Sequence, residues 1–198
     1  AYFPAGTYLI KSTLKAHPWT VKNEPTVNHL AIVGSTLGTV RPKILLTPNA
    51  SGFGNTNSPK PMLELKNFDD TAGLETSEKA NSGFYQMLRG IDFDCNSNAG
   101  AVGVYFNQAQ DSSAENVKIT ATGAWAGFKG LPSRAWGAVN IEVEGGQYGI
   151  DTDGGGNAGS VVAGAVLRNQ TVSAVRHSGF VPLVLVGFEF ATPPGSTQ

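Results

Sequence analysis

The sequence predicts an all-β protein, a solenoid of short stacked strands known as a parallel β-helix. Two observations carry this prediction: a motif that recurs about every 24 residues, and a composition suited to strands and turns. Of the 198 residues, 25 are glycine and only 15% are charged, which favours β-strands joined by polar turns over a helical protein. A chain of this length can form one domain with a sizeable core.

The recurring motif begins with Gly or Asn and continues with an apolar, a polar and an apolar residue. It occurs at residues 90–93, 116–119, 140–143, 164–167 and 187–190, and its first apolar positions lie 26, 24, 24 and 23 residues apart. A second motif shares this period, with spacings of 24, 22 and 25 residues, as Gly103-Val104, Gly127-Phe128, Gly149-Ile150 and Ala174-Val175. A common period of this length is typical of one rung of a parallel β-helix, with strands about 4.8 Å apart.

Stacked rungs predict rows of side chains that point to the same side. Two rows point inward as the core: Ile91, Val117, Ile141, Ala165 and Phe188, and Phe93, Ile119, Val143, Leu167 and Phe190. Two rows point outward: Asp92, Lys118, Glu142, Val166 and Glu189, and Asp94, Thr120, Glu144 and Arg168. A third outward row contains Tyr105, Lys129, Asp151 and Arg176, with His177 beside it. The outward rows are either a solvated face with ion pairs between rungs or a sugar-binding face.

Less regular strands are expected at residues 7–11, 28–34, 43–47 and 62–66, with long loops at 48–61 and 67–83. Loops of that length often carry function. The β-helix domain is expected to span residues 1–192, and residues 193–198 are expected to form a tail or linker. Because the sequence opens inside a strand–turn–strand pattern, we expect it to be one piece of a longer protein.

Charge and composition argue against several classes of partner. The formal net charge is −1, so no bulk field attracts nucleic acid or an anionic membrane. No apolar run reaches the roughly 18 residues that a membrane-spanning helix needs.

The single cysteine, Cys95, lies in a stretch of alternating polarity and is predicted to be an inert core thiol. His17 and His29 are isolated in the sequence, and we expect no metal site and no cofactor.

Several segments resemble known carbohydrate-active proteins. Residues 2–10, Tyr-Phe-Pro-Ala-Gly-Thr-Tyr-Leu-Ile, resemble the opening of pectate-lyase-superfamily β-helix proteins, and residues 29–34 resemble the strand that follows it. Residues 103–117 resemble a stretch of the exo-β-1,3-glucanases of glycoside hydrolase family 55, and residues 145–149, Gly-Gly-Gln-Tyr-Gly, resemble a turn of that family. The resemblance implies a right-handed, pectin-lyase-like β-helix from a secreted, extracellular enzyme that degrades a polysaccharide.

The resemblance also implies a division of catalytic roles. In these glucanases the first of two β-helices supplies a Gln and a Ser that hold the attacking water, and the second supplies the acid Glu. Gln110 matches that Gln, and Ser133 lies near the position of that Ser. The general acid would then lie outside this chain, on a second β-helix domain or chain packed alongside. The sequence departs from the family pattern where Tyr105 and Phe106 replace its His and Trp.

Sugar contact is expected around the loop that carries Ser133, because Trp125 and Trp136 flank it and aromatic rings stack on sugars. These tryptophans complete the predicted substrate-binding set, which is Tyr105, Trp125, Lys129, Trp136, Asp151 and Arg176.

The residues alone leave other functions open. An inverting hydrolase could use two carboxyl groups about 6.5–9.5 Å apart. Two pairs fit because their members lie two rungs apart: Asp92 with Glu142, and Asp94 with Glu144. A polysaccharide lyase acting on a uronate polymer would draw on a different cluster, Lys129, Asp151, Arg176 and His177. Asp151 and Asp153 could offer oxygen ligands to Ca²⁺, although their Asp-Thr-Asp-Gly segment is also ordinary turn chemistry. A non-catalytic carbohydrate-binding solenoid of the tailspike or adhesin type would use the same fold.

Overall fold

The computed structural model describes residues 1–17, 29–66, 83–108, 110–133, 137–152, 159–178, 182–193 and 195. These residues form β-strands and contain no helix, as the all-β prediction expects, so none of them forms a helix that could cross a membrane. The strands are β1 (Tyr2–Phe3), β2 (Thr7–Ile10), β3 (Leu14–Ala16), β4 (Ala31–Gly34), β5 (Lys43–Leu46), β6 (Lys60–Lys66), β7 (Met87–Arg89), β8 (Asp92–Asp94), β9 (Ala101–Asn107), β10 (Ser113–Thr120), β11 (Ala126–Lys129), β12 (Gly137–Glu144), β13 (Tyr148–Asp151), β14 (Ser160–Ala163), β15 (Val166–Arg168), β16 (Ser173–Arg176), β17 (Leu183–Val186) and β18 (Glu189–Ala191).

The strands pair in parallel and form three columns. Column 1 contains β1, β4, β7, β10, β12, β14 and β17, and column 2 contains β2, β5, β8, β10, β12, β15 and β18; together they make a 12-stranded sheet. Column 3 is a 6-stranded sheet of β3, β6, β9, β11, β13 and β16. The chain passes through columns 1, 2 and 3 in order and returns to column 1. One such passage, called a rung below, accounts for the period of about 24 residues in the sequence.

The first residue of the recurring motif lies where the chain passes from column 1 to column 2, and it has a left-handed backbone. Its φ is 69° at Gly90, 52° at Asn116, 51° at Asn140, 67° at Gly164 and 65° at Gly187. Gly and Asn are the residues that adopt this conformation most readily, which explains why the motif begins with them. Asn140 Nδ2 also donates a hydrogen bond of 2.6 Å to Asn116 Oδ1 and so joins two rungs.

The glycines of the second motif lie where column 3 packs tightly against column 2. A Cβ atom on Gly127 would come within 2.5 Å of Val143 Cγ1 and within 2.8 Å of the Gly149 carbonyl oxygen. A Cβ atom on Gly103 would likewise come within 2.5 Å of Ile119 Cγ2. The first three occurrences of the motif therefore have glycine because no side chain fits between the two columns there, whereas the fourth has Ala174.

The predicted core rows are confirmed in the central rungs. Eight of their members are at most 1% exposed: Ile91, Phe93, Val117, Ile119, Ile141, Val143, Ala165 and Leu167. Phe190 pairs in register with Leu167 but is 54% exposed, and Phe188 is only half-buried. The reason is that β18 pairs with β15 alone among the described strands. The core side of this last rung is therefore only partly covered.

The outer face of column 2 carries ion pairs between rungs, as the solvated-face interpretation of its two rows predicts. Lys118 Nζ lies 2.8 Å from Glu142 Oε1, and Arg168 Nη1 lies 3.4 Å from the same oxygen. Arg41 Nη2 lies 2.8 Å from Asp92 Oδ1, and burial raises the pKa of Asp92 more than the nearby cations lower it. Of the carboxylates that spacing offered for an inverting hydrolase, Asp92 and Glu142 are thus each engaged by a cation.

Cys95 is confirmed as a core residue. It is wholly buried, and burial together with the neighbouring Asp94 carboxylate raises the pKa of its thiol to about 12. A protonated thiol with no solvent access is a poor nucleophile.

The irregular N-terminal strands form close to where the sequence predicts them, as β2, β4, β5 and β6. The loop expected at 48–61 is real up to residue 59, and β6 begins at Lys60. Almost all of the loop expected at 67–83 lies outside the described residues. The domain limits at 1–192 and 193–198 stay predictions.

Candidate functional site

The predicted substrate-binding residues of the second motif lie in one in-register row on column 3. Tyr105 pairs with Lys129, Lys129 with Asp151, and Asp151 with Arg176. Since neighbouring strands are about 4.8 Å apart, three spacings give a row about 14 Å long. The row continues toward the N-terminal rungs through Glu64, which pairs with Tyr105.

Arg176 organises the C-terminal half of this row. Its Nε and Nη2 atoms donate to Asp151 Oδ1 at 2.9 Å and Oδ2 at 2.7 Å. The Asp151 side chain is wholly buried, whereas that of Arg176 is 33% exposed. The guanidinium carbon lies 4.2 Å from the ring centroid of Tyr148 and 5.7 Å from that of Trp125. Because a bidentate pair fixes the plane of the guanidinium, these contacts hold a cation and two aromatic rings in one arrangement.

Tyr105 has a lysine on either side in the N-terminal half of the row. Lys66 Nζ lies 5.3 Å and Lys129 Nζ lies 6.0 Å from the centroid of its ring. Lys66 is ion-paired with Glu64 at 2.6 Å. Lys129 makes no ion pair with any residue that the structure describes, so its ammonium group remains for solvent or a ligand.

The predicted water-positioning residues both lie in connections from column 3 to column 1, in successive rungs. Gln110 follows β9 and is half-buried, and its carbonyl accepts a 3.3 Å hydrogen bond from the Tyr85 amide. Ser133 follows β11 and is 1% exposed, and its hydroxyl donates to the Gln108 carbonyl at 2.8 Å. Gln108 is also buried, and its side-chain amide has no hydrogen-bond partner in the described part of the chain. A hydroxyl that donates to a carbonyl can still accept from water, so the shared role of Gln110 and Ser133 stays a prediction.

An open cleft of about 650 Å³ lies beside Gln110, at the start of column 1. Its lining includes His29, Tyr85, Gln86, Met87, Asp111 and Glu115. The rings of His29 and Tyr85 are stacked, with centroids 4.9 Å apart and planes inclined by 20°. The cleft thus combines an aromatic wall with two carboxylates.

Periodicity identifies the row on column 3 but not all of the residues around it. Tyr148 directly precedes the Gly149-Ile150 occurrence of the second motif and pairs with Ala126 of the preceding rung. The motif's spacing could therefore have placed Tyr148 near Trp125, and the two ring centroids lie 5.4 Å apart. Tyr85 and Asp111 lie in irregular segments, where no periodic signal marks them. Trp136, predicted to contact sugar, lies outside the described residues.

A calcium site at Asp151 finds no support in the geometry. Both carboxylate oxygens accept hydrogen bonds from Arg176, so a guanidinium neutralises the charge that a cation would need. Asp153 lies outside the described residues. His177 directly follows Arg176 in the chain, and its Nδ1 atom lies 2.7 Å from Thr152 Oγ1. Within the described ranges, no three His, Cys, Asp or Glu side chains form a cluster suited to a metal ion.

No protein-family model, curated protein or solved structure matches the chain. Its function must therefore be inferred from its own surface: the column 3 row, the connections that carry Gln110 and Ser133, and the cleft beside them.

Proposed function

We propose that this chain is a right-handed parallel β-helix of the pectin-lyase-like type and that it binds a polysaccharide along the outer face of column 3. The three columns of parallel strands support the solenoid fold. The observation that carries the function is the in-register row of Tyr105, Lys129, Asp151 and Arg176 with aromatic rings beside it. Tyr105, Lys129 and Arg176 lie on β9, β11 and β16 of one column, so a polymer that crosses successive rungs can contact each of them, while the wholly buried Asp151 holds Arg176 in place.

The row offers both kinds of contact that carbohydrates use. Half-buried aromatic side chains, Trp125 and Tyr148, present surface on which a sugar ring can stack. Lys129 can donate to sugar hydroxyls because no ion pair within the described ranges engages it. Arg176 is already held by Asp151, so binding would order little additional side chain.

The catalytic part of the proposal is a secreted glycoside hydrolase of the β-1,3-glucanase type. Gln110 and Ser133 would orient the attacking water, acting through position and not through a shifted pKa. Their support is their place in the same connection of successive rungs. The general acid would come from a second β-helix domain or chain packed alongside, outside this sequence.

Lys129 favours a second candidate, a lyase acting on a uronate polymer. A lysine without an ion pair in the described residues can serve as the base that abstracts the proton next to a carboxylate. Arg176, two strands away in the same row, places a second cation near such a substrate.

The reaction is tested by incubating the full-length protein with a panel of neutral and acidic polysaccharides. New reducing ends without ultraviolet absorbance would identify a hydrolase, whereas an unsaturated, absorbing product would identify a lyase. Binding without any product would identify a non-catalytic solenoid of the tailspike or adhesin type.

The binding face is tested separately by calorimetry with the polysaccharide that binds. Lys129→Gln and Tyr105→Ala should each weaken binding about five- to tenfold, the effect of losing one hydrogen bond or one stacking contact. Lys118→Gln is the matched control, because Lys118 is an exposed lysine on column 2 and its loss should leave affinity unchanged. Unaltered binding by both column 3 variants would refute the proposed face.

A further inference from the structure

Two residues of the cleft beside Gln110 have a left-handed backbone conformation. Tyr85 has a φ of 57° and Asp111 a φ of 60°. This conformation is unfavourable for a bulky aromatic residue, and it persists where the surrounding structure holds it. Residues held in this way concentrate at binding sites, which makes the cleft a candidate for one.

Hydrogen bonds from two neighbouring rungs hold the Tyr85 segment in place. Gln86 Oε1, on a buried side chain, accepts from the Leu30 backbone amide at 3.1 Å. The Gln86 backbone amide donates to Ser112 Oγ at 3.1 Å. The Tyr85 amide itself donates to the Gln110 carbonyl at 3.3 Å. The backbone of Tyr85 is therefore held before any ligand arrives, and the stacked His29 ring supports its side chain, which lowers the entropic cost of binding.

The side chains positioned in this way can still engage a ligand. Tyr85 is 48% exposed, with His29 stacked on its ring. The Asp111 carboxylate makes no hydrogen bond or ion pair with any other described residue. Glu115 contributes a second carboxylate, which lies 3.7 Å from Arg89. At about 650 Å³ the cleft falls within the usual size of small-ligand sites, about 300–1,000 Å³.

We propose that this cleft binds one neutral sugar unit, as a subsite distinct from the column 3 row. The sugar ring stacks on Tyr85, and its hydroxyl groups donate to the Asp111 carboxylate. A carboxylate accepts from hydroxyls but repels the carboxylate of a uronate, so the cleft selects a neutral sugar over an acidic one. This inference rests on the proposed function, since it adds a subsite to the same polysaccharide.

The test uses calorimetric titration of the full-length protein with a β-1,3-linked glucose hexasaccharide and with an oligogalacturonate of the same length. Asp111→Asn preserves the shape and the left-handed preference of the residue while removing its charge, and should weaken binding of the glucose hexasaccharide about fivefold. Tyr85→Gly should weaken it about tenfold without lowering the urea midpoint, because glycine relieves the backbone strain. Asn49→Gly is the control, because Asn49 has a φ of 52° on the protein surface away from the cleft.

The possible outcomes separate the cleft from the wider proposal. Weaker binding in both cleft variants, with Asn49→Gly unchanged, is the expected result. Cleft variants that bind as the unmodified protein does, while Lys129→Gln binds less, would overturn the subsite and leave the column 3 proposal standing. The preference for a neutral sugar would be overturned if the oligogalacturonate bound more tightly than the glucose hexasaccharide and Tyr85→Gly abolished that binding. Failure of the unmodified protein to bind either saccharide would overturn the subsite, and failure across the polysaccharide panel would also overturn the column 3 proposal.

Discussion

Truncation of Ile141 to alanine tests whether the recurring motif builds one packed core. Ile141 is 1% exposed and pairs in register with Val117 of the preceding rung. The substitution removes three buried carbon atoms, a transfer loss of about 2.4 kcal/mol at about 0.8 kcal/mol each. A cavity term adds to this loss because strands paired on both sides of β12 limit any collapse of the space. The free energy of unfolding should therefore fall by about 3–4 kcal/mol.

Urea denaturation, followed by both tryptophan fluorescence and circular dichroism, measures this loss as a lower midpoint at an unchanged slope. A stack of repeats can unfold in more than one step, so single-step unfolding has to be checked. It is shown if the fluorescence and circular dichroism signals change at the same urea concentrations. Val139→Ala in the same strand is the matched control, since Val139 is 43% exposed, and its loss should stay below about 0.5–1 kcal/mol. Equal losses in the two variants would refute the assignment of Ile141 to the core.

Other perturbations test the tight junction, the buried thiol and the ion pair of column 3. Gly127→Ala should lower the free energy of unfolding in urea by about 2 kcal/mol or more, because the added Cβ would meet Val143 Cγ1 at 2.5 Å. Gly54→Ala is the control and should be near neutral, because a Cβ there meets no atom within 4 Å. Similar urea midpoints for the two variants would contradict this reasoning. Cys95, wholly buried and with a pKa of about 12, should react with iodoacetamide at pH 8 only in urea, and rapid labelling of the folded protein would argue against its burial. Arg176→Ala removes the two hydrogen bonds that the guanidinium donates to the buried Asp151 carboxylate and should cost about 3 kcal/mol in the same titration. A loss under about 1 kcal/mol would mean that the pair is not formed in solution.

The periodic part of the molecule could be predicted because its signals are local. A left-handed position followed by alternating polarity marks the passage from column 1 to column 2, and Gly or Asn must stand there. A constant interval between such positions then aligns Ile119 with Phe93 on one side and Val143 on the other. The same reasoning placed Phe190 in the core row, where it is 54% exposed, because periodicity carries no information on whether a further strand covers the last rung.

The sequence by itself determined the all-β class, the spacing of the rungs and the row from Tyr105 to Arg176, because each depends on which residue repeats and at what interval. The tertiary structure alone decided what those residues contact. It engages both oxygens of the buried Asp151 carboxylate with Arg176, and it brings His29, Tyr85 and Asp111 to one cleft. These contacts join irregular segments or depend on burial and side-chain direction, which a repeated pattern does not encode.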